Sequence, residues 1–340
     1  MAFVVTDSTR APVAFGLRAV PKLFEELQPP DPDRRLRALG SLCDLMHDPE
    51  RLYQTVHGGF LEQLQVLLKD DDPSVRTKTC ELLHLLTGHS IGRQALLSSC
   101  LLPPLSLLLG DSSPSCRRNV HLVLNRLALL PAGAQALLSL VPKLMQKLRE
   151  EEEEEEVQVL LLSTLSRCSQ LDAQPALTSD GVSLLGHKLS HRSLKVRREA
   201  SAVLMALSVP EDGKQQVCEG AVLPVLVGLL QDEDLEVQAN AAGVIMYTVM
   251  ITAGKQQCLD LGIISVLLDL VKRNEEEEKE KKALIMYSLR ALTALAEAPD
   301  GRRLLLEQLP LLVKRSEAGE RDPDIRRAAQ TAVRVITWTP

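Results

Sequence analysis

A repeat of about 41 residues constrains this chain more than any other feature, because self-similarity at a period of 20 to 50 residues points to stacked units rather than one globular core. Asp31-Pro32, Asp72-Pro73 and Ser113-Pro114 recur at intervals of 41 residues. Each opens a stretch with helical apolar spacing: Pro32 to Met46, Pro73 to Thr87 and Pro114 to Leu129. The start of that helix can be followed through Arg34, Val75, Cys116, Val157, Val196, Val237, Lys281 and Ile325, in steps of 41, 41, 41, 39, 41, 44 and 44 residues, which gives about eight units.

Each unit carries three apolar segments. A short one follows a glycine turn, as in Gly92-Arg93-Gln94, Gly213-Lys214-Gln215, Gly254-Lys255-Gln256 and Gly301-Arg302-Arg303. A second has proline in its first turn, where the missing N–H has no intrahelical partner anyway, as at Pro21, Pro103, Pro142, Pro224 and Pro310. The third is the longest. A unit of this kind cannot cover its own apolar faces and must stack on neighbours. Three helices per 41 residues is the spacing of armadillo repeats, with HEAT repeats close by. The expected fold is therefore an all-α, armadillo/HEAT-like right-handed α-solenoid. It should form a single array over residues 1–340, with acidic inter-helix insertions near 150–156 and 275–280.

Composition agrees. Hydrophobic residues reach 45% but aromatics only 2%, so the core must be Leu, Val, Ala and Ile, with too few rings for base stacking. A net charge of −6 argues against binding nucleic acid over a long footprint. Met1 to Pro12 lacks the basic-then-apolar order of a signal peptide, and no apolar run is long enough to span a bilayer, so a soluble intracellular protein is expected. The seven cysteines (Cys43, Cys80, Cys100, Cys116, Cys168, Cys218, Cys258) are scattered without a CxxC pair and read as reduced thiols in small core positions.

The stretches from Thr9-Arg10-Ala11-Pro12 to Leu27, Ala38 to Glu50 (ALGSLCDLMHDPE), Val75 to Arg93 and Ala291 to Arg302 resemble the radial spoke head 14 homologue (rhabdoid tumour deletion region protein) family. The similarity runs nearly end to end, to Pro340. The resemblance implies a structural role in the radial spokes of the axoneme, in motile cilia and sperm flagella. It implies other spoke subunits as partners and a cytoplasmic, cytoskeletal location. The glutamate run from Glu150 to Glu156 departs from what that resemblance explains. A general armadillo adaptor in cytoplasm or nucleus, serving transport or signalling complexes, is the alternative.

Candidate sites come from the third helices. Peptide-binding armadillo proteins carry a Trp and Asn ladder six and ten residues after the starting Val. Here those places hold Glu81, Leu122, Ser163, Ala202 and Gly243, then Leu85, Arg126, Arg167, Ala206 and Tyr247, so folded partners are favoured over extended peptides. Side chains three and ten residues in share a face, which presents Arg37, Asp44, Lys78, Asn119, Arg126, Arg167, Glu199, Asn240 and Tyr247. Arg37, Lys78, Asn119, Arg126, Arg167, Asn240 and Tyr247 are the candidate partner-binding residues. A second series, Arg76, Arg117, Arg197 and Arg326, has Asp70, Asp111 and Glu320 six residues before three of its members. It can be a basic stripe for an acidic partner or, as favoured here, a structural Asp–Arg ladder between repeats. The Glu150–Glu156 and Glu275–Glu280 runs read as solvated loops, with docking onto a basic surface as the sharper option.

Chemistry-bearing motifs are thin. Gly88-His89-Ser90-Ile91-Gly92 matches a hydrolase nucleophile elbow in letters, but that motif needs a preceding strand and Glu81 to Thr87 reads as helix. His187 and His191 sit one helical turn apart without an HExxH frame. No P-loop or dinucleotide-binding glycine pattern occurs. The expectation is a non-enzymatic scaffold with no cofactor, metal, small-molecule substrate, nucleic acid or membrane partner.

Overall fold

The computed structural model describes residues 16–150, 154–272, 279–317, 320 and 322–338. Met1 to Pro12, Glu151 to Glu153, Glu275 to Glu278 and Pro340 lie outside the described residues. Among those described there is no strand, and no helix is long and apolar enough to cross a membrane. Eight long helices recur: α1 (Pro32–Leu45), α2 (Pro73–Thr87), α3 (Pro114–Leu127), α4 (Glu155–Leu171), α5 (Leu194–Leu207), α6 (Leu235–Thr248), α7 (Lys279–Leu295) and α8 (Pro323–Ile336). Shorter helices lie between them. Helices α1–α4 belong to one compact unit of the chain and α5–α8 to another, which also includes the helix Val141–Glu150.

The Asp-Pro signature does local work. Asp31, Asp72, Ser113 and Asp322 are N-caps whose side chains accept from backbone N–H groups of the first turn, and the proline after each fills the first helical position. Downstream, five buried positions repeat in α2 to α7, and four of the five recur in α8, where Val333 is half-buried. In α2 they are Val75, Thr79, Leu82, Leu83 and Leu86, and in α3 Cys116, Val120, Val123, Leu124 and Leu127. In α7 they are Leu284, Ser288, Ala291, Leu292 and Leu295. The unit of α7 is therefore registered on Leu284, one turn beyond the Lys281 expected from spacing, and the step from Val237 is 47 residues, followed by 41 to Ile325. All the extra length precedes Leu284, on the side of the acidic insertion.

Five of the eight long helices, α2, α3, α5, α6 and α7, end in a corner that only glycine fits. Gly92, Gly133, Gly213, Gly254 and Gly301 press their Cα atoms against the carbonyl of the residue six earlier, and an added Cβ would lie 1.7–2.2 Å from that oxygen. The following basic residue finishes the corner: Arg93 Nη1 donates to the carbonyls of Thr87 (3.0 Å) and Gly88 (3.3 Å), and Arg302 Nε to that of Ala296 (3.1 Å). Positive charge on a helix C-terminus is favourable in its own right. Six of the cysteines are buried as expected, while Cys100 is exposed.

Neighbouring units are also tied by the Arg–Asp ladder, with a connectivity that differs from the sequence pairing. Arg76 Nη1 takes only the backbone carbonyls of Asp70 (2.7 Å) and Asp71 (3.1 Å), while its Nε reaches forward to Asp111 Oδ2 (2.6 Å) in the next unit. Asp70 in turn receives Arg35 from the unit before. Arg197 repeats the pattern on Asp232 (2.9 Å), and Arg117 Nη1 holds the carbonyl of Asp111 (2.8 Å). The second carboxylate oxygen closes each inter-helix turn, as Asp111 Oδ1 does for the Ser113 N–H (2.8 Å). Arg35 and Asp232 are ladder members absent from the sequence expectation. The Glu320 carboxylate is held by Arg315 (2.8 Å).

Two stability predictions follow from these contacts. Gly213→Ala should cost about 3 kcal/mol, the upper end of overpacking, whereas Gly228→Ala, whose Cβ would meet open space inside a helix, should gain about 0.5–1 kcal/mol; thermal melts of the two variants check the contrast. Arg76→Ala should cost about 1.5–3 kcal/mol, as for a charge-assisted hydrogen bond. Burial pushes the Asp111 carboxyl up, but hydrogen bonds from Arg76 and the Ser113 N–H outweigh it and hold it below its usual 3.8. Its contribution is thus complete above that value and lost as pH falls through the lower folded pKa. Melting curves of Arg76→Ala should accordingly lie closer to wild type in strong acid than at neutral pH.

A candidate docking groove on the long helices

The faces of the long helices that are not used in stacking form grooves, and the same helix positions line the groove in each unit. In the first unit a groove of about 840 Å³ runs over α1, α2 and α3. Helix α2 contributes Thr77, Glu81, His84 and Leu85, which lie two, six, nine and ten residues beyond Val75. Helix α3 adds Arg118, Asn119, Leu122, Asn125 and Arg126, and α1 adds Asp44, with His47 just beyond it. In the second unit a groove of about 580 Å³ over α7 and α8 uses the matching positions, Met286, Arg290, Thr293 and Ala294, which stand at the same distances from Leu284. The repeat thus fixes which positions face the groove and leaves their identity free.

Of the seven residues expected to bind partners, only Asn119 and Arg126 line the first groove, and both lean sideways into the stack. Asn119 Nδ2 donates to the Thr77 carbonyl (3.2 Å), and Arg126 Nη1 to the His84 carbonyl, each on the preceding long helix. Asn240 does the same in the other unit, bonding Ser201 Oγ (3.2 Å) on α5. Lys78 is held by Glu81 (2.9 Å). Arg37 and Tyr247 are half-buried and Arg167 is exposed. In α2 and α3 the groove is lined by residues two, six, nine and ten into the helix, with the third added in α3. His84, Arg118 and Asn125 thus join it as members outside the sequence expectation, three or four residues from Glu81 and Leu122.

Most charges in the first groove have partners. Arg118 grips Glu156 with two bonds, Nε to Oε2 (2.9 Å) and Nη2 to Oε1 (2.7 Å), which places the described end of the acidic run against the groove wall. Arg126 is different: among the described residues no carboxylate reaches it or Arg93. Burial, then the charge of Arg93, lowers its pKa. His84 is half-buried, and its Nδ1 lacks a hydrogen-bond partner. Burial, then the charges of Arg126 and Arg118, depress its pKa to about 4 despite Glu81.

The motifs with catalytic or metal-binding lettering are otherwise engaged. Ser90 opens the helix Ser90–Ser98 directly after α2, so the element before it is a helix. His191 Nδ1 accepts the N–H of Ser193 (3.0 Å). Among the described residues no group of three or more His, Cys, Asp or Glu side chains gathers.

Residues 51–178 match the sequence profile of the non-SMC mitotic condensation complex subunit 1 family. Among solved structures the chain is similar to an engineered protein, with 19% identity and a TM-score of 0.77 over 95% of this chain and 89% of that one. It is similar to a designed armadillo repeat protein, with 21% identity and a TM-score of 0.61 over 67% of this chain and 99% of that one. A related designed armadillo repeat protein, solved in complex with the peptide (KR)4, matches at 22% identity and a TM-score of 0.61 over the same shares. At these identities the likeness establishes the fold, an all-α armadillo/HEAT-type solenoid.

The half-buried His84 gives a pH signature. A folded pKa below the usual 6.5 means that the unfolded chain takes up the proton first, so this contribution to stability is complete above 6.5 and is lost as pH falls towards 4. Between pH 7 and pH 4.5 the wild-type melting temperature should fall further than that of His84→Gln. Parallel pH profiles would count against a half-buried neutral imidazole.

Proposed function

We propose that this chain is a protein-binding scaffold that docks other proteins on the groove faces of its long helices. One observation carries the reading: matching helix positions line an open groove in each unit. Such surfaces, set with polar groups around a few apolar side chains, suit protein partners. With residues 1–340 taken as one array, the resemblance to radial spoke head 14 homologues directs this scaffold to the axoneme of motile cilia and sperm flagella. Other spoke subunits are then its partners. The match of residues 51–178 to a condensation-complex subunit family supports a second reading, a general adaptor in cytoplasm or nucleus.

The test combines a groove variant with localisation. Arg118→Glu with Leu122→Asp alters the groove at a surface ion pair, worth about 0.2–1 kcal/mol, and at a half-buried leucine, and a thermal melt selects the variant protein that is folded. In ciliated cells lacking the endogenous protein, wild type should enter the axoneme and cross-link to spoke subunits, and the folded double variant should do neither. Normal incorporation of the variant rejects the groove as the docking face. Wild type confined to nuclei or spread through the cytoplasm rejects the axonemal assignment and leaves the general adaptor.

A further inference from the structure

One end of the first groove is lined by Arg126 and His84, with Arg93 behind them. Arg126 extends from α3 over the last turn of α2, and Arg93 caps the same turn from the helix that follows. The two guanidiniums are close enough to repel, and among the described residues neither has a carboxylate partner. The Arg93 Nε–H is buried without an acceptor, and His84 Nδ1, also buried, is without a partner on the same turn of α2. The orphaned atoms are buried beyond a ligand's reach, but an anion in the groove beside Arg126 and His84 would offset the repulsion between the two guanidiniums and accept from the outer N–H groups of Arg126.

We propose that the groove at the α2–α3 junction is a carboxylate subsite, in which an Asp or Glu side chain of a partner protein is taken by Arg126 and His84. Other ionisable groups nearby are accounted for. Glu81 is engaged by Lys78 and Arg118 by Glu156, and Asp44 and His47 of the α1 segment line the same groove. Arg126 Nη1 is spent on the His84 carbonyl, and the remaining N–H groups of its planar fork are the donors for the ligand. Imidazole in its neutral form offers a single N–H; protonation supplies a second donor and a charge, so a bound carboxylate and a proton on His84 reinforce each other. The subsite rests on the groove being a docking surface and names the chemistry it selects.

The experiment reads His84 directly. In the full-length protein with isotope-labelled histidine, the seven imidazole signals are followed from pH 7 to pH 4, with the His84 signal assigned by its absence in His84→Gln. Addition of a hexaglutamate peptide should raise the His84 pKa by about one pH unit or more, as an opposite charge at contact distance does. Hexaglutamine should leave it in place, and Arg126→Gln should abolish the response. An unmoved His84 with hexaglutamate overturns the proposal, whether or not Arg126→Gln folds, and so does an equal response to inorganic phosphate, which would mean an adventitious ion only. The groove reading is tested separately: spoke subunits that still cross-link to an unresponsive wild-type protein would remove the subsite and keep the docking face.

Discussion

Everything in this protein depends on how the chain leaves one unit and enters the next. At the ends of α2, α3, α5, α6 and α7 the backbone folds back so closely that a glycine rests on the carbonyl of the residue six earlier, with no room for a methyl group. That contact fixes the angle between the long helix and the first helix of the following unit. The Arg–Asp ladder then fixes the distance between units. Each aspartate holds its own turn closed with one oxygen and receives the arginine of the preceding unit with the other, so a turn cannot loosen without also releasing a neighbour. Charge-assisted bonds in a partly buried setting are directional enough to serve as register marks, where apolar contacts alone would tolerate sliding.

Once corner and ladder are set, the fate of each position on a long helix follows from helical geometry. Residues such as Val75, Leu82, Leu83 and Leu86 must face the core. Residues such as Arg76 must face the ladder. What remains is a strip two, six, nine and ten residues in, and this strip carries Glu81 and His84 in one unit and Arg290 and Met286 in the other. Binding specificity in such a molecule is therefore written in a small set of positions that the fold does not need.

The sequence disclosed what is local and concealed what is long-range. The 41-residue period, the Asp-Pro caps and the glycine corners were legible because each depends on residues within a turn or two. The ladder was visible as a motif, but its pairing was not. Asp70 and Arg76 are adjacent in the pattern, yet the bond that matters joins residues 35 apart, Arg35 to Asp70 and Arg76 to Asp111. Registration of α7 was hidden by the acidic insertion, since counting from Val237 assigns the extra length evenly to both flanking steps while the buried pattern puts it all before Leu284. Asn119 and Asn240 were placed at the right depth along the helix, but the direction in which an amide leans is decided by the neighbouring helix.

That lean limits how a partner can engage the groove. Asn119, Asn240 and Arg126 each hold a group on the preceding long helix. A ligand that captured them outright would have to replace a stacking bond, recovering little net free energy, because an exchange of one hydrogen bond for another is nearly neutral. Useful binding energy must come instead from groups that the stack leaves unspent: apolar surface such as Leu122 or Met286, and charge such as Arg290 or the outer N–H groups of Arg126. A partner chosen by those groups can add to the protein without unlocking it, which a scaffold built of interdependent units requires.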